Sequence, residues 1–214
     1  MNKYIVLVFL ISIISCQQKT KKNGKLQVVT TTTMITDLVN NIGGDKIDIQ
    51  GLMGAGVDPH LYKASAGDVS KLFNADVIVY NGLHLEGKLE DVFEKMRQQN
   101  KKTIAASDAI DTATLIGSAY FASNYDPHIW FDITNWEIIT KYITAKFCEL
   151  DVENAIIYKE NAANYLKTLA SLKIAVTEEV NFLPIEKRIL VTAHDAFNYF
   201  GKQFQFNVVG LQGL

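Results

Sequence analysis

The chain has 214 residues, of which 48% are hydrophobic, 10% aromatic and 21% charged, with a formal net charge of −2. That is the balance of a globular protein with material for a real core, not of a disordered chain. The near-neutral charge with no basic stripe argues against a nucleic-acid partner, and two cysteines exclude a disulfide-stapled scaffold.

The first segment reads as an address and not as part of the fold. Lys3 precedes the mostly apolar run Tyr4 to Ile14, which is too short to span a bilayer comfortably and fits the h-region of a signal peptide. Ser15-Cys16 at its end resembles the lipobox of bacterial lipoproteins, which implies cleavage after residue 15 and lipid on Cys16. Several acyl chains give the stable anchoring that one chain does not. The alternative is an ordinary signal peptide with an incidental cysteine. Gln17 to Lys25 is polar and basic, so residues 16–25 read as a tether.

Beyond the tether, strands alternate with helices. Leu26 to Thr32 is a β-branched strand, followed by a helix over Ile35 to Ile42 that Gly43-Gly44 closes. Strand Ile47 to Leu52, helix Ala66 to Phe73, buried strand Asp76 to Tyr80, helix Leu89 to Met96 and strand Thr103 to Ala105 come next. This alternation predicts βαβ units and a parallel sheet. Ala106 to Asp126 has weak periodicity and reads as a loop. In Thr134 to Leu150 the residues Trp136, Ile139, Ile143, Phe147 and Leu150 share one helical face. Val152 to Val180 keeps a similar phase, giving a helix roughly 40 Å long at 1.5 Å per residue. Pro184 ends it. Strand Arg188 to Ala193, helix Ala196 to Lys202 and strand Gln205 to Val209 begin a second α/β unit.

The histidines carry the candidate chemistry. Of the four, His60, His84 and His194 lie just past predicted strands, where ligand sites of open α/β sheets gather. His60 and His128 both sit in the tripeptide Asp-Pro-His, as Asp58-Pro59-His60 and Asp126-Pro127-His128. Proline stiffens the backbone that presents the imidazole. A neighbouring aspartate can accept the second ring N–H and fix the tautomer, as is usual for metal-bound histidine. The bland reading of each histidine, a surface or hydrogen-bonded group, stands beside this one. Residue chemistry alone therefore reaches an extracytoplasmic α/β protein with a candidate metal site.

Longer stretches add a family resemblance. Val29 to Val39 (VTTTTMITDLV), Gly56 to Tyr62 (GVDPHLY), Tyr80 to Lys88 (YNGLHLEGK), Asp126 to Trp130 (DPHIW), Thr192 to Phe197 (TAHDAF) and Val209 to Gly213 (VGLQG) follow one another in the order found in the zinc/manganese solute-binding lipoproteins of bacterial ABC importers. The resemblance implies a two-lobed α/β architecture in which parallel sheets are joined by one long helix. It divides the chain into residues 1–15 (signal peptide), 16–25 (tether), 26–150 (first lobe), 151–183 (linking helix) and 184–214 (incomplete second lobe). A divalent metal is implied in the cleft, held by His60 and His128 from the first lobe and His194 from the second. Asp58, Asp126 and Asp195 are candidates to support those ligands. The family's fourth ligand is a carboxylate further along the second lobe, so the expectation is a C-terminally truncated chain that lacks it. Three imidazoles favour zinc over manganese on ligand softness.

The implied function is capture of Zn²⁺ or Mn²⁺ outside the cytoplasm and delivery to an ABC permease, by a monomer lipid-anchored to the bacterial membrane. A surface adhesin without a transport role and, less favoured, a metal-dependent hydrolase are the alternatives. The hydrolase lacks an HExxH-type motif, and the expectation is a carrier, not an enzyme. His84 is expected to be structural or at the cleft edge. Cys148 reads as a core thiol, Glu86 and Lys88 as solvated charges near a helix start, and Trp130 and Trp136 as packing residues. The incomplete lobe is expected to expose sheet edges and apolar surface, making the isolated chain poorly soluble.

Overall fold

The computed structural model describes residues 24–119 and 121–212. The signal peptide, Cys16 and nearly all of the tether lie outside the described residues. Among the described residues no helix is long and apolar enough to cross a membrane.

The chain runs β1 (Leu26–Thr30), α1 (Thr33–Gly43), β2 (Ile47–Gly51), α2 (Ala66–Asn74), β3 (Val77–Tyr80), α3 (Glu90–Gln98), β4 (Lys102–Ala105), α4 (Ile133–Leu150), α5 (Ala155–Asn181), β5 (Ile189–His194), α6 (Asn198–Phe204) and β6 (Asn207–Gln212). The first four strands form one sheet in the order β2-β1-β3-β4, and β5 pairs with β6 in a second. All pairs are parallel. The expected α/β architecture with a long helix is therefore present.

Side-chain alternation on the central strands explains the two cores. In β3, Val77 and Val79 face a core shared with α1, α4 and α5, while Ile78 and Tyr80 face a smaller one shared with α2 and α3. Both faces are covered, which is why Val77 to Tyr80 reads as a continuous apolar run. The larger core extends through Ile35, Leu38, Ile139, Ile143 and Tyr158, all fully buried. Tyr158 Oη donates to Asp151 Oδ2 at 2.7 Å, so the phenol end is also satisfied.

Local chemistry moves several boundaries. β1 stops at Thr30, not Thr32, because Thr32 caps α1 by accepting the amide of Ile35. Residues Val152–Asn154 form a 3-10 turn before α5 begins at Ala155. Strand β5 runs on to His194, which is paired with Gln212, so His194 is the last strand residue and not part of the following loop. The turn after it delays α6 to Asn198. Gln205 then takes a left-handed conformation (φ +61°) after α6, which delays β6 to Asn207. The stretch Ala106 to Asp126 contains two 3-10 turns, Ala106–Ala109 and Thr112–Thr114.

The small sheet is fastened to the rest through α6 and one arginine. Tyr199 Oη donates to Asp126 O at 3.0 Å and accepts the Ile116 amide at 3.1 Å. Gln203 accepts the Ile133 amide and donates to Asp132. Arg188, buried between the end of α5 and the end of α6, donates to Leu183 O, Phe204 O and Asn181 Oδ1. One face of the small sheet stays open, with Ile189, Val191 and Leu211 more than half exposed and Val209 at 41%.

Two outcomes are expected. Leu38→Ala should lower unfolding free energy by about 2–5 kcal/mol, the range for a buried leucine, whereas Ile156→Ala on the exposed side of α5 should change it by no more than about 0.5 kcal/mol. Chemical denaturation measures both. The 214-residue chain should also self-associate through the open sheet face. Threonine at the cross-strand pair Val191 and Val209 should reduce light scattering without lowering the melting temperature.

Candidate metal centre

The two Asp-Pro-His tripeptides fold into the same local turn. Asp58 Oδ1 accepts the amide of His60 at 2.9 Å, and Asp126 Oδ1 accepts the amide of His128 at 2.9 Å. In each, the aspartate closes an Asx-type turn over the proline and aims the imidazole. His60 lies in the loop between β2 and α2, and His128 just before α4. His194 ends β5, at the carboxyl edge of the second sheet. Three separate segments thus deliver three imidazoles to one place.

The rings converge through their Nε2 atoms. His60 Nε2 lies 3.3 Å from His128 Nε2, and His194 Nε2 lies 3.1 Å from the same atom. One donor atom from each of the three lies within 4.8 Å of the other two. For comparison, Zn–N bonds of about 2.0–2.1 Å around a tetrahedral ion place neighbouring nitrogens about 3.3–3.4 Å apart. His128 has its other ring nitrogen occupied, since Nδ1 donates to Asp126 Oδ1 at 2.7 Å. That bond fixes the tautomer and turns the Nε2 lone pair toward His60 and His194.

The aspartates differ in what they do. Asp126 is fully buried and, besides His128, accepts Asn198 Nδ2 on its second oxygen at 3.0 Å. Burial works to raise its carboxyl, but the hydrogen bonds from the His128 ring and backbone and from Asn198 hold it below the ordinary value. Asp195 accepts the same Asn198 amide at 2.9 Å and so orders the turn after His194. Asp58 holds the backbone of its own turn. Gly210 on β6 packs against that Asp195 turn so closely that a Cβ would come within 2.7 Å of the Asp195 Cβ.

Aromatic residues wall the site. Trp130 meets the His128 ring edge-on at 5.2 Å between centroids, and Phe121 stacks on His60 at 6.0 Å. Phe131 and Phe197 stack on each other across the cleft at 4.3 Å. The cleft has a volume of about 660 Å³ and opens from the three imidazoles past Met34, Val57, Trp130, Phe131 and Phe197. Such surroundings disfavour a charged imidazole. Burial, reinforced by the neighbouring His128, pushes His60 down to about 4, and the same two causes lower His194. Both shifts favour the unprotonated rings of His60 and His194 at neutral pH.

His84 does not join the cluster. It is exposed, lies in a left-handed turn and has its Nδ1 3.7 Å from Glu90 Oε1. Lys88 is exposed as expected, and Cys148 is half-buried against the larger core, with Sγ donating to Ala155 O. Trp136 packs in that core and donates its indole N–H to Tyr165. Glu86 is a correction. It is not a solvated charge but 1% exposed, and it accepts Thr31 Oγ1 at 2.6 Å and the amides of Asn81 and Gly82. The turn that Glu86 closes folds its side chain inward beneath β1 and β3. Asn198, Tyr199 and Phe121 were also not singled out from the sequence. Only the acid-to-Asn spacing Asp195-Ala196-Phe197-Asn198 after His194 offers a signal, that of a turn at a helix start.

Comparison with known proteins shows the family. The family described as zinc-uptake complex component A, periplasmic, matches residues 28–214. The chain belongs to that family. Within reach of it, the manganese-binding lipoprotein MntA of Bacillus subtilis is 46% identical over 190 residues, covering 89% of this chain and 61% of that protein. The zinc-binding protein TroA of Treponema pallidum is 43% identical over 192 residues, covering 90% of this chain and 61% of that protein. The solved structure of TroA superposes with a TM-score of 0.85 over 89% of this chain and 68% of its own. The chain thus spans about three-fifths of the length of these two curated relatives. The family's description, a component of a zinc-uptake complex, falls in the class that the sequence resemblance implies.

The lowered His60 and His194 values set a pH dependence. Between about pH 4 and 6.5 the unfolded chain binds more protons at these rings than the folded one, so stability rises with pH through that window. The metal-free protein should therefore lose melting temperature as pH falls from 7 to 4, and His60→Ala should flatten that slope. Differential scanning calorimetry across the window checks it.

Proposed function

We propose that this chain is the metal-capturing part of a solute-binding lipoprotein, which takes a divalent transition metal outside the cytoplasm and hands it to an ABC-type permease. The observation that carries the reading is the convergence of three Nε2 atoms, with His128 locked by Asp126, at separations suited to one ion. His60, His128 and His194 are the ligands in this reading. Asp126 orients His128, while Asp58 and Asp195 order the turns that carry the other two. Three imidazoles leave room for at least one more donor, and the family resemblance gives a carboxylate there.

Zinc is the ion that the donor set favours, because neutral imidazole is a better match for zinc than for manganese. The relatives' names point both ways, to manganese for MntA and to zinc for TroA. A carrier needs no turnover, and the reading assigns no catalytic residue. Cys16 is the lipid attachment site in this proposal, and residues 16–25 the tether from the membrane to a monomeric body. Residues 26–150 form the first lobe, 151–183 the linking helix and 184–214 the part of the second lobe present here. The relatives that share this sequence are named as lipoproteins of metal ABC transporters, which supports the anchor and the permease partner.

The test is thermal melting of the chelator-stripped chain with added Zn²⁺ or Mn²⁺. An ion that binds only the folded state at about 100 times its dissociation constant adds about 2.7 kcal/mol of stability, so the melting temperature should rise by several degrees, more with zinc. In the chain with His60, His128 and His194 all replaced by alanine the rise should vanish. An unchanged rise in that variant would overturn the proposal.

A further inference from the structure

Glu86 is a fully buried carboxylate with no cationic partner among its hydrogen bonds, and the capture reading gives it no task. Its neighbours supply one. Oε1 accepts Thr31 Oγ1 at 2.6 Å and the Asn81 amide at 2.8 Å, while Oε2 accepts the Gly82 amide at 3.2 Å. The carboxylate therefore joins the end of β1 to the exit of β3. Asn81 is buried too, and its carbonyl accepts the Ser107 amide at 2.9 Å. Its side-chain Nδ2 donates to Gly82 O at 3.0 Å and to Pro127 O at 2.9 Å. Pro127 is the residue before His128. A hydrogen-bonded chain thus runs from Thr31 through Glu86 and Asn81 to the peptide that carries the buried metal ligand.

The turn between Asn81 and Glu86 has a conformation that needs holding. Gly82, Leu83 and His84 are three consecutive residues at positive φ (+85°, +51° and +62°). A Cβ at Gly82 would run into Ser107 Oγ, so the turn is pressed against the β4 exit. Both oxygens of Glu86 are used inside this turn. Glutamine could keep the shape but not the pattern, because its amide nitrogen would face an N–H or hydroxyl donor on either side.

We propose that Glu86 is a positioning residue for the metal centre, holding Asn81 so that its amide fixes the Pro127 carbonyl and with it the direction of the His128 ring. Asp126 sets the ring from one side through Nδ1, and Asn81 sets the backbone from the other. The inference rests on the reading of His60, His128 and His194 as ligands. Groups that orient metal ligands from behind alter affinity by about 10–100-fold when changed, and the same scale applies here.

The test is titration of the metal-free chain with Co²⁺, read by the visible absorption of the bound ion and by affinity, with the melting temperature of the metal-free form measured in parallel. The variants are Glu86→Gln, Asn81→Asp and their combination, with Phe93→Leu as a destabilised control in the smaller core and His128→Ala as the site control. Glu86→Gln and Asn81→Asp should each weaken Co²⁺ binding about tenfold or more and change the absorption band. The double variant should be no worse than the more severe single one, since both break one chain of bonds. Phe93→Leu should lower the melting temperature and leave affinity and band alone. The proposal is overturned if the two variants behave like Phe93→Leu, or if their effects multiply in the double variant. Should neither variant fold, Thr31→Val, which removes one donor to Glu86, carries the same comparison. Parent-like Co²⁺ binding by His128→Ala would instead overturn the site itself.

Discussion

The arrangement of the cleft depends on the hydrogen bonds gathered by Asp126. Its carboxylate accepts the amide and the ring N–H of His128 and the side-chain amide of Asn198, and its backbone carbonyl accepts the phenol of Tyr199. One buried residue therefore fixes the His128 tautomer, closes the turn that carries that ring and receives the helix that follows His194. Removing the charge would leave several donors without a partner in a dry interior, where unmet hydrogen bonds are expensive. Part of the coupling between the four-stranded sheet and the small sheet passes through this point, beside the bonds of Gln203 and Arg188.

A second layer of order lies behind the three imidazoles. The first sheet presents its carboxyl ends to the cleft, and the residues just past β1 and β3 are tied together by Glu86. Buried polar networks of this kind give rigidity only when every member is satisfied, and here Asn81 and Glu86 both are. The aromatic walls act differently. They cover parts of the His60 and His128 rings, and burial together with the neighbouring ring disfavours the charged form of His60 and His194.

Much of the fold was legible from residue patterns. The alternation of short β-branched runs with helical phases identified the parallel sheet, and the apolar run Val77 to Tyr80 marked its centre. Element ends were less legible, because they are decided by caps and turns: Thr32 was counted as strand although its hydroxyl is needed by α1. At the site, the repeated Asp-Pro-His tripeptide pointed to His60 and His128, and their meeting with His194 came from family resemblance, since no spacing rule brings residues 60, 128 and 194 together. The expectation for Glu86 fails because a glutamate followed by Gly87 and Lys88 looks like surface, and only the tertiary turn shows that its carboxylate is surrounded by donors. Asn198 and Tyr199 were invisible for the same reason.

The duplicated Asx-type turn has a thermodynamic consequence. Freezing one residue's backbone costs about 1–2 kcal/mol in conformational entropy, and a flexible ligand loop would meet that cost at the moment an ion arrives. In Asp58-Pro59-His60 and Asp126-Pro127-His128 the proline ring and the aspartate-to-amide bond restrict the backbone during folding instead. In the proposed capture role, more of the coordination energy then appears as affinity, which is the advantage of a preorganised receptor. The same short tripeptide, used twice, thus sets two of the three histidine-bearing segments during folding.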